Sequence, residues 1–416
     1  MDRKSVIEYI YNADEKLRDE FKKYEHISFL NSMKVLNAFH ENKVSESHLY
    51  GTTGYGYNDS GRDVVESVYA NVFKCEDALV RTQLISGTHG LTVAMAACLR
   101  PGDIMLSISG KPYDTLDEVI GIKENKSSLI SYGVKYQQVD LVDNDFDKDK
   151  IYSALLRNKV KLVTIQRSKG YSTRESISIE KIEKIIKEIR KIDKNVIIMV
   201  DNCYCEFVDY KEPTEVGADL VVGSLIKNLG AGMATNGAYI CGRHDLVELC
   251  AERLNVPGQG KEVGPSGNAN RMFLLGLYMA PQVVLSSIKT AILLSYVMEK
   301  LGYEVSPRYN DKRVDIVQNI IFRNPSKLVS FCKEIQKSSA IDSHVEPVAS
   351  DMPGYTDKVI MASGSFTQGS SIEISCDGPL RDPYIAYFQG SLSYDYGKIA
   401  IINVMTKLTE RDGINE

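Results

Sequence analysis

Asp201 and the segment from Ser224 to Lys227 are the residues of this sequence whose types and spacing could do chemistry. Each follows an apolar run of strand length, 196–200 and 219–223. Neighbouring parallel strands end at the same sheet edge, where ligands bind. An acid at one strand end and Ser-x-x-Lys at the next would suit pyridoxal phosphate. Lys227 could form its Schiff base, Asp201 could hold its pyridine nitrogen protonated, and Ser224 could donate to its phosphate. The alternative is a surface lysine and a helix-capping aspartate.

The segment SGTHG, residues 86–90, could add a phosphate site. It joins a predicted strand, 78–85, to a helix that runs to about residue 100, so Gly87 and Thr88 stand at a helix N-terminus. Free amides and the positive end of the helix dipole attract phosphate there. An ordinary N-cap without a bound anion is the alternative.

Three tyrosines and one arginine extend this hypothesis. Tyr113 follows the predicted strand 104–109 and could stack on a flat cofactor, although a lone tyrosine is often a core residue. Tyr55 and Tyr57 belong to a glycine-rich loop that we interpret as a site loop rather than a solvated linker. Arg381 stands in a turn-rich stretch and is the candidate for binding a substrate carboxylate; a plain surface turn is the alternative.

The order of predicted strands and helices that would position these residues indicates an α/β fold. The strand 160–165, the amphipathic helix 180–194 and the strand before Asp201 form a crossover unit of a mostly parallel sheet. More irregular pieces after residue 304 predict a smaller α+β lobe. We therefore predict three regions: an N-terminal helical segment 1–47, a large cofactor-binding domain 48–285 and a small C-terminal domain 286–416.

Composition narrows the classes of function. The chain has 416 residues, 43% of them hydrophobic, and a net charge of −5, which gives no general attraction to nucleic acid. The charged N-terminus predicts no signal peptide, and polar residues within 272–298 favour a buried helix over a membrane span. Eight scattered cysteines indicate reduced thiols in a cytoplasmic protein, and the Cys203–Cys205 pair alone is poor evidence for a metal site.

Taken together, the motifs resemble the pyridoxal-phosphate enzymes of the aspartate aminotransferase fold (fold type I), and among them the carbon–sulfur lyases related to methionine gamma-lyase and cystathionine beta-lyase. Within this group the sequence resembles the aluminium-resistance, YnbB-like family. Its characteristic stretches occur here as YGTTGYGYNDSGRD, SGTHG, QRSKGYSTR, VDNCYCEF, GSLIKNLG, GKEVGPSG and CDGPLRDPY. These stretches span nearly the whole chain.

The resemblance implies roles for individual residues. Lys227 becomes the Schiff-base lysine, Asp201 the partner of the pyridine nitrogen and Tyr113 the ring-stacking residue that assists the leaving group. The resemblance also implies which residues contact the phosphate of the cofactor. These are Gly87, Thr88, Ser224 and, from a neighbouring subunit, Tyr55 and Tyr57. Two departures concern the phosphate: the arginine of the neighbouring-subunit loop is replaced by tyrosine, and Ser-x-Thr-Lys becomes Ser-Leu-Ile-Lys.

The implied reaction is beta- or gamma-elimination on a sulfur-containing amino acid, which yields a 2-oxo acid, ammonia and a thiol. The freed Lys227 amine, with its pKa lowered by the site, would remove the alpha proton. A homodimer or homotetramer with shared active sites is expected. The alternatives are another reaction of the same cofactor, transamination or retro-aldol cleavage, and a non-catalytic stress or metal-tolerance protein on the same fold.

Overall fold

Seven strands of four to seven residues, most of them apolar, form the central sheet of the larger of two units, residues 31–278. The computed structural model describes residues 1–412, with side chains to residue 409. The second unit joins residues 1–30 to those after 278. The predicted helical segment 1–47 is therefore not a separate domain, and the later boundary lies near 279 instead of 286.

The strands of the larger unit are β1 Asp77–Arg81, β2 Ile104–Ser107, β3 Lys135–Gln138, β4 Leu141–Val142, β5 Asp145–Phe146, β6 Val160–Gln166, β7 Ile197–Asp201, β8 Leu220–Ser224 and β9 Ala238–Gly242. Its helices are α3 Ser60–Phe73, α4 Gly87–Cys98, α5 Asp117–Ile120, α6 Lys148–Arg157, α7 Ile179–Ile192 and α8 His244–Leu254. The division between the units falls within two long helices, α2 Arg18–Glu41 and α9 Ala269–Lys300.

The central sheet has the strand order β1-β9-β8-β7-β6-β2-β3. From β8 to β3 all neighbours are parallel, whereas β9 is antiparallel to both β8 and β1. Gln166, Asp201 and Ser224 are the last residues of β6, β7 and β8. The carboxyl ends of three adjacent strands thus place polar side chains at one edge, as predicted.

Helices cover both faces of this sheet. On one face α4 and α8 bury an apolar core with Ala238 and Ile240 of β9. On the other face Phe73 of α3 packs its ring 5.1 Å from that of Tyr239, the residue between them in β9. Helix α7 buries the isoleucines of one stripe, as its sequence period predicts: Ile179, Ile182, Ile185, Ile186 and Ile189.

The smaller unit contains α1 Arg3–Lys16, β10 Glu304–Ser306, β11 Gln318–Ile321, α10 Pro325–Lys337, β12 Val359–Ala362, β13 Ser375–Pro379, β14 Ile385–Gln389 and α11 Tyr394–Asp412. Its strands form an antiparallel sheet in the order β10-β11-β14-β13-β12. Helix α10 packs on β13, where the sulfurs of Cys332 and Cys376 lie 3.7 Å apart. The predicted α+β lobe is therefore present.

Helix α9 contains the apolar segment at 272–298. By length and composition alone it could cross a membrane, but 78% of its most apolar window is buried inside the protein. A helix buried to this extent has the character of a core helix, in agreement with the prediction from its polar residues.

The glycine-rich loop before α3 is bound to a second loop about 200 residues later. Asp59 accepts hydrogen bonds from the hydroxyls of Thr52 (2.6 Å) and Ser266 (2.5 Å). The N–H of Gly264 donates to the carbonyl of Tyr55 at 2.9 Å. A side chain at Gly56 would collide with the backbone of Pro265. Two of the motif stretches, 50–63 and 260–267, therefore form one interlocked structure.

Candidate active site

Lys227 lies just beyond β8 and begins a short 3-10 turn, residues 228–230. Its amine stands 3.7 Å from the centroid of the Tyr204 ring. Lys227, Tyr204 and Asp201 each keep part of their surface accessible, although Asn202, Cys203 and Asn228 beside them are buried. The three side chains therefore line an open part of an otherwise buried sheet edge.

The pKa of the free Lys227 amine is raised above its ordinary value. Burial acts to lower this pKa, but the electron-rich side chains of Tyr204 and Cys203, the hydrogen bond to Tyr204 and the carboxylate of Asp201 outweigh it. The prediction that the site lowers the pKa of the free amine is therefore wrong. The amine must give up a proton before it can act as a base.

Asp201 is held by the turn that follows it. The N–H of Cys203 donates to its Oδ1 at 3.1 Å. Burial raises the pKa of this carboxyl, while the Cys203 hydrogen bond and the positive charge of Lys227 act in the opposite direction. Asp201, the last residue of β7, thus interacts electrostatically with Lys227, which lies just beyond the end of β8.

Gly87 and Ser224 approach each other where α4 begins. A Cβ added at Gly87 would lie 3.1 Å from the Cβ of Ser224 and 3.5 Å from the sulfur of Cys203. Ser86 caps α4 by accepting from the N–H of His89, and the hydroxyl of Thr88 lies 2.9 Å from that of Thr115. The first N–H groups of a helix have no carbonyl partner within it, so this crevice offers an anion several donors.

The turn 201–207 is an unusual piece of backbone. Tyr204 and Phe207 have positive φ values of 73° and 62°. Such conformations are costly for non-glycine residues and persist where the surroundings enforce them. Here Glu212 accepts from the side chain of Asn202 (2.8 Å) and the N–H of Phe207 (3.0 Å). This buried network turns the Tyr204 ring toward Lys227.

Tyr113 lies in a second group of side chains at the same edge. Its ring packs edge-on against that of Tyr171, with centroids 5.8 Å apart. Gly170, at φ 57°, would bring a Cβ within 3.2 Å of the Tyr113 ring. Pro112, beside Tyr113, shares a small cavity with Gln166 and Asp201. The polar loop after β6 therefore packs on the predicted stacking residue.

Tyr55 and Tyr57 stack on each other, with centroids 5.4 Å apart and planes 19° apart. Their side chains remain 70% and 55% exposed, which leaves them open to another molecule. Arg381 belongs to the smaller unit and forms an ion pair with Asp357 at 3.0 Å. The roles assigned to these three residues stay predictions.

The sequence predicts that Gly87, Asp201, Ser224 and Lys227 lie together at one sheet edge, and in the structure they do. It assigned no role to Tyr204 or Tyr171. Tyr204 stands in the quoted motif VDNCYCEF, but its approach to Lys227 depends on the left-handed turn. Tyr171 stands in QRSKGYSTR, and its contact with Tyr113 joins segments about sixty residues apart.

The chain is similar to known proteins over nearly its whole length. Residues 6–409 match the family model described as methionine gamma-lyase. The uncharacterized protein YnbB of Bacillus subtilis (strain 168) is 46% identical over 393 residues, which cover 94% of this chain and 93% of that protein. The carbon-sulfur lyase involved in aluminium resistance from Clostridium novyi NT is 46% identical, with a TM-score of 0.93 over 97% of this chain and 96% of that structure.

A more distant structure has the same fold. The pyridoxal-5'-phosphate dependent protein YhfS from Escherichia coli superposes with a TM-score of 0.62 at 15% identity, over 94% of this chain and 97% of that chain. The predicted fold class and the resemblance drawn from the motifs are confirmed.

Proposed function

Because this chain belongs to the methionine gamma-lyase family, we propose that it is a pyridoxal-phosphate-dependent carbon–sulfur lyase. The substrate is a sulfur-containing amino acid, from which beta- or gamma-elimination releases a 2-oxo acid, ammonia and a thiol. One observation supports this above all others. Asp201 and Ser224 are the last residues of adjacent strands, and Lys227 lies just beyond Ser224 at the same sheet edge, beside the crevice at Gly87.

The residues present fit the proposed cofactor. The crevice that a Cβ at Gly87 would fill is bordered by the Ser224 side chain and the N-terminus of α4, a set of donors suited to a phosphate. Asp201 supplies the acid for a pyridine nitrogen, and Lys227 the amine for an aldehyde. When bound, pyridoxal phosphate supplies a ring that accepts the electrons left at the substrate's alpha carbon.

The protein's own residues then hold and move protons. Lys227, once neutral, is the base for the alpha proton, and the nearby Tyr204 ring orients its amine. Asp201 would hold the pyridine nitrogen of the cofactor protonated. Tyr113, held by Tyr171 and Gly170, faces the leaving group in this proposal. Arg381 is proposed to bind the substrate carboxylate.

We also propose that two or four copies of the chain assemble in the cytoplasm with shared sites. The exposed Tyr55–Tyr57 stack stands on the interlocked loops, so it is presented rigidly to a neighbour. Mixing a K227A protein with a Y55F/Y57F protein should then restore activity, because a hybrid assembly contains one intact site. Absence of restoration, or an active monomer in sedimentation, would contradict sharing.

Borohydride reduction of the purified protein tests the proposed function. A pyridoxyl group should be found on the peptide that contains Lys227, and K227A should show none. Incubation with sulfur amino acids should release 2-oxo acid, ammonia and thiol in equal amounts. An adduct on another lysine would overturn the assignment of the site. A requirement for an amino acceptor would indicate transamination instead.

A further inference from the structure

Glu206 is a fully buried acid in the turn that carries Asp201 and Tyr204. Its Oε1 accepts a hydrogen bond from the hydroxyl of Tyr239 at 2.7 Å, and its carbonyl accepts one from the side chain of Asn228 at 2.9 Å. Asn228 directly follows Lys227. The side chain and the backbone of Glu206 therefore connect the acid-bearing turn to the central sheet and to the lysine segment.

The room for this contact comes from a glycine in β8. Gly223 is paired with Tyr239 across β8 and β9, and any side chain at Gly223 would collide with the Tyr239 hydroxyl. Gly223 also precedes Ser224, so the same strand end serves the phosphate crevice and the Glu206 contact. A carboxyl group is thus built into the layer directly behind the site.

The charges around Glu206 disfavour its ionised form. Tyr239, Tyr69 and Cys203 contribute neutral hydroxyl and thiol groups, while Glu212 is itself an acid. Lys227 is the cation whose charge acts on Glu206, and it already lies beside Asp201. Burial raises the pKa of Glu206 to about 8, with the Tyr239 hydrogen bond opposing the increase.

Two buried oxygen atoms to which the described residues offer no hydrogen-bond donor are consistent with a protonated Glu206. Oε2 of Glu206 and Oδ1 of Asn228 both lack a hydrogen-bond partner among the described residues. An ionised Glu206 would bury a further unpaired acceptor, which is costly. A protonated Oε2 is instead a donor, and Asn228 Oδ1 is an acceptor in the adjoining segment.

We propose that Glu206 is a positioning residue that carries a proton while the enzyme works and that its ionisation sets the upper pH limit of the site. In the protonated form it holds the turn of Asp201 and Tyr204 against the sheet without adding charge. Loss of the proton gives Glu206 a negative charge near Lys227. This charge stabilises the ammonium form of Lys227, so that less of the neutral amine is available to act as a base. The effect on turnover rests on the proposed lyase function; the protonation itself does not.

Infrared spectroscopy of the cofactor-loaded protein tests the protonation directly. The C=O stretch of a protonated carboxyl should be present at neutral pH, disappear with a midpoint near the pKa of about 8, and be absent in E206Q. Y239F removes the hydrogen bond that favours the anion, so its midpoint should rise by about one pH unit. Y136F, which removes a hydroxyl bonded to Gln138 in the edge strand β3, should leave the midpoint unchanged. A band that is absent at neutral pH, or unchanged in E206Q, would overturn the inference.

Activity provides the second test. E206Q keeps an uncharged side chain of the same shape, so it should restore the turnover that E206A loses and should not show the wild-type decline above pH 8. A purely structural role would leave that decline in place in E206Q. If the carboxyl band titrates as expected but no lyase activity is found on any sulfur amino acid, the proposed function fails while the protonation stands.

Discussion

The amine of Lys227 lies 3.7 Å from the centre of the Tyr204 ring, close enough for a cation–π interaction. Tyr204 adopts a left-handed backbone conformation, φ 73°, that places its ring there. The lysine is therefore oriented by an aromatic face before any ligand enters. The same contact helps to keep the free amine protonated.

Replacing Tyr204 by Phe should make the Lys227 amine more reactive. The ring remains, but the hydroxyl that helps to raise the pKa of Lys227 is lost. We expect the apoprotein to take up pyridoxal phosphate up to about tenfold faster at pH 7, measured by visible absorption. Y210F is the control, since the Tyr210 ring lies 4.5 Å from the amine of Lys34 in a similar pair. Equal rates for all three proteins would show that Tyr204 does not control the amine.

The variant D201N should retain the fold but lose most activity. The amide can still accept from the N–H of Cys203, whereas the negative charge is gone. We expect turnover to fall by about 10²–10⁴-fold with cofactor still bound. D219N is a matched control at the opposite end of the sheet, where Asp219 pairs with Arg190 and Arg243. That variant should lower the melting temperature and spare turnover; the reverse pattern would contradict the role of Asp201.

An alanine at position 87 should weaken cofactor binding. Its Cβ would stand 3.1 Å from that of Ser224 and fill the crevice proposed for the phosphate. We expect the dissociation constant, from absorption titrations, to rise about tenfold or more. In G90A the added Cβ would be equally crowded, 3.1 Å from Ala238, but within the core. G90A should therefore reduce stability without changing affinity, and similar affinities of G87A and wild type would refute the phosphate assignment.

Removal of the Arg381 side chain should raise KM for the substrate. A charge-assisted pair with a carboxylate contributes roughly 1.5–3 kcal/mol, so R381A should raise KM by at least about tenfold without altering the bound cofactor spectrum. R323A is the control, because Arg323 is an exposed arginine of the same unit with its own ion pair, 2.7 Å to Glu304. Unchanged KM in R381A would mean that another residue binds the carboxylate.

The raised pKa of Glu206 predicts a specific dependence of stability on pH. A carboxyl whose pKa is about 8 in the folded state and near 4.5 when unfolded contributes stability that is fully present below 4.5 and lost as pH rises through 8. Within this window wild type should lose up to about 1.4 kcal/mol per pH unit relative to E206Q. Urea denaturation at several pH values measures the difference. Parallel pH profiles of the two proteins would show that Glu206 is ionised in the fold.

The sequence by itself determined the elements and the principal site residues. The inner strands β6 to β9 of the larger unit are short, mostly apolar runs, and α7 follows its isoleucine period, because burial on a sheet face or a helix stripe leaves a local pattern. Asp201, Ser224 and Lys227 were predictable for the same reason. They stand where apolar runs end, and parallel strands end at a common edge.

Only the tertiary structure decided which distant segments meet. Gly87 approaches Ser224, which lies far from it in sequence. The loop 51–59 is bonded to the loop 260–267, and residues 1–30 belong to the same unit as the chain after 278. The Tyr204–Lys227 contact and the Glu206–Tyr239 hydrogen bond depend on an enforced left-handed turn. Local periodicity encodes which residues are buried, but such contacts arise from packing and long-range hydrogen bonding, which leave no local pattern.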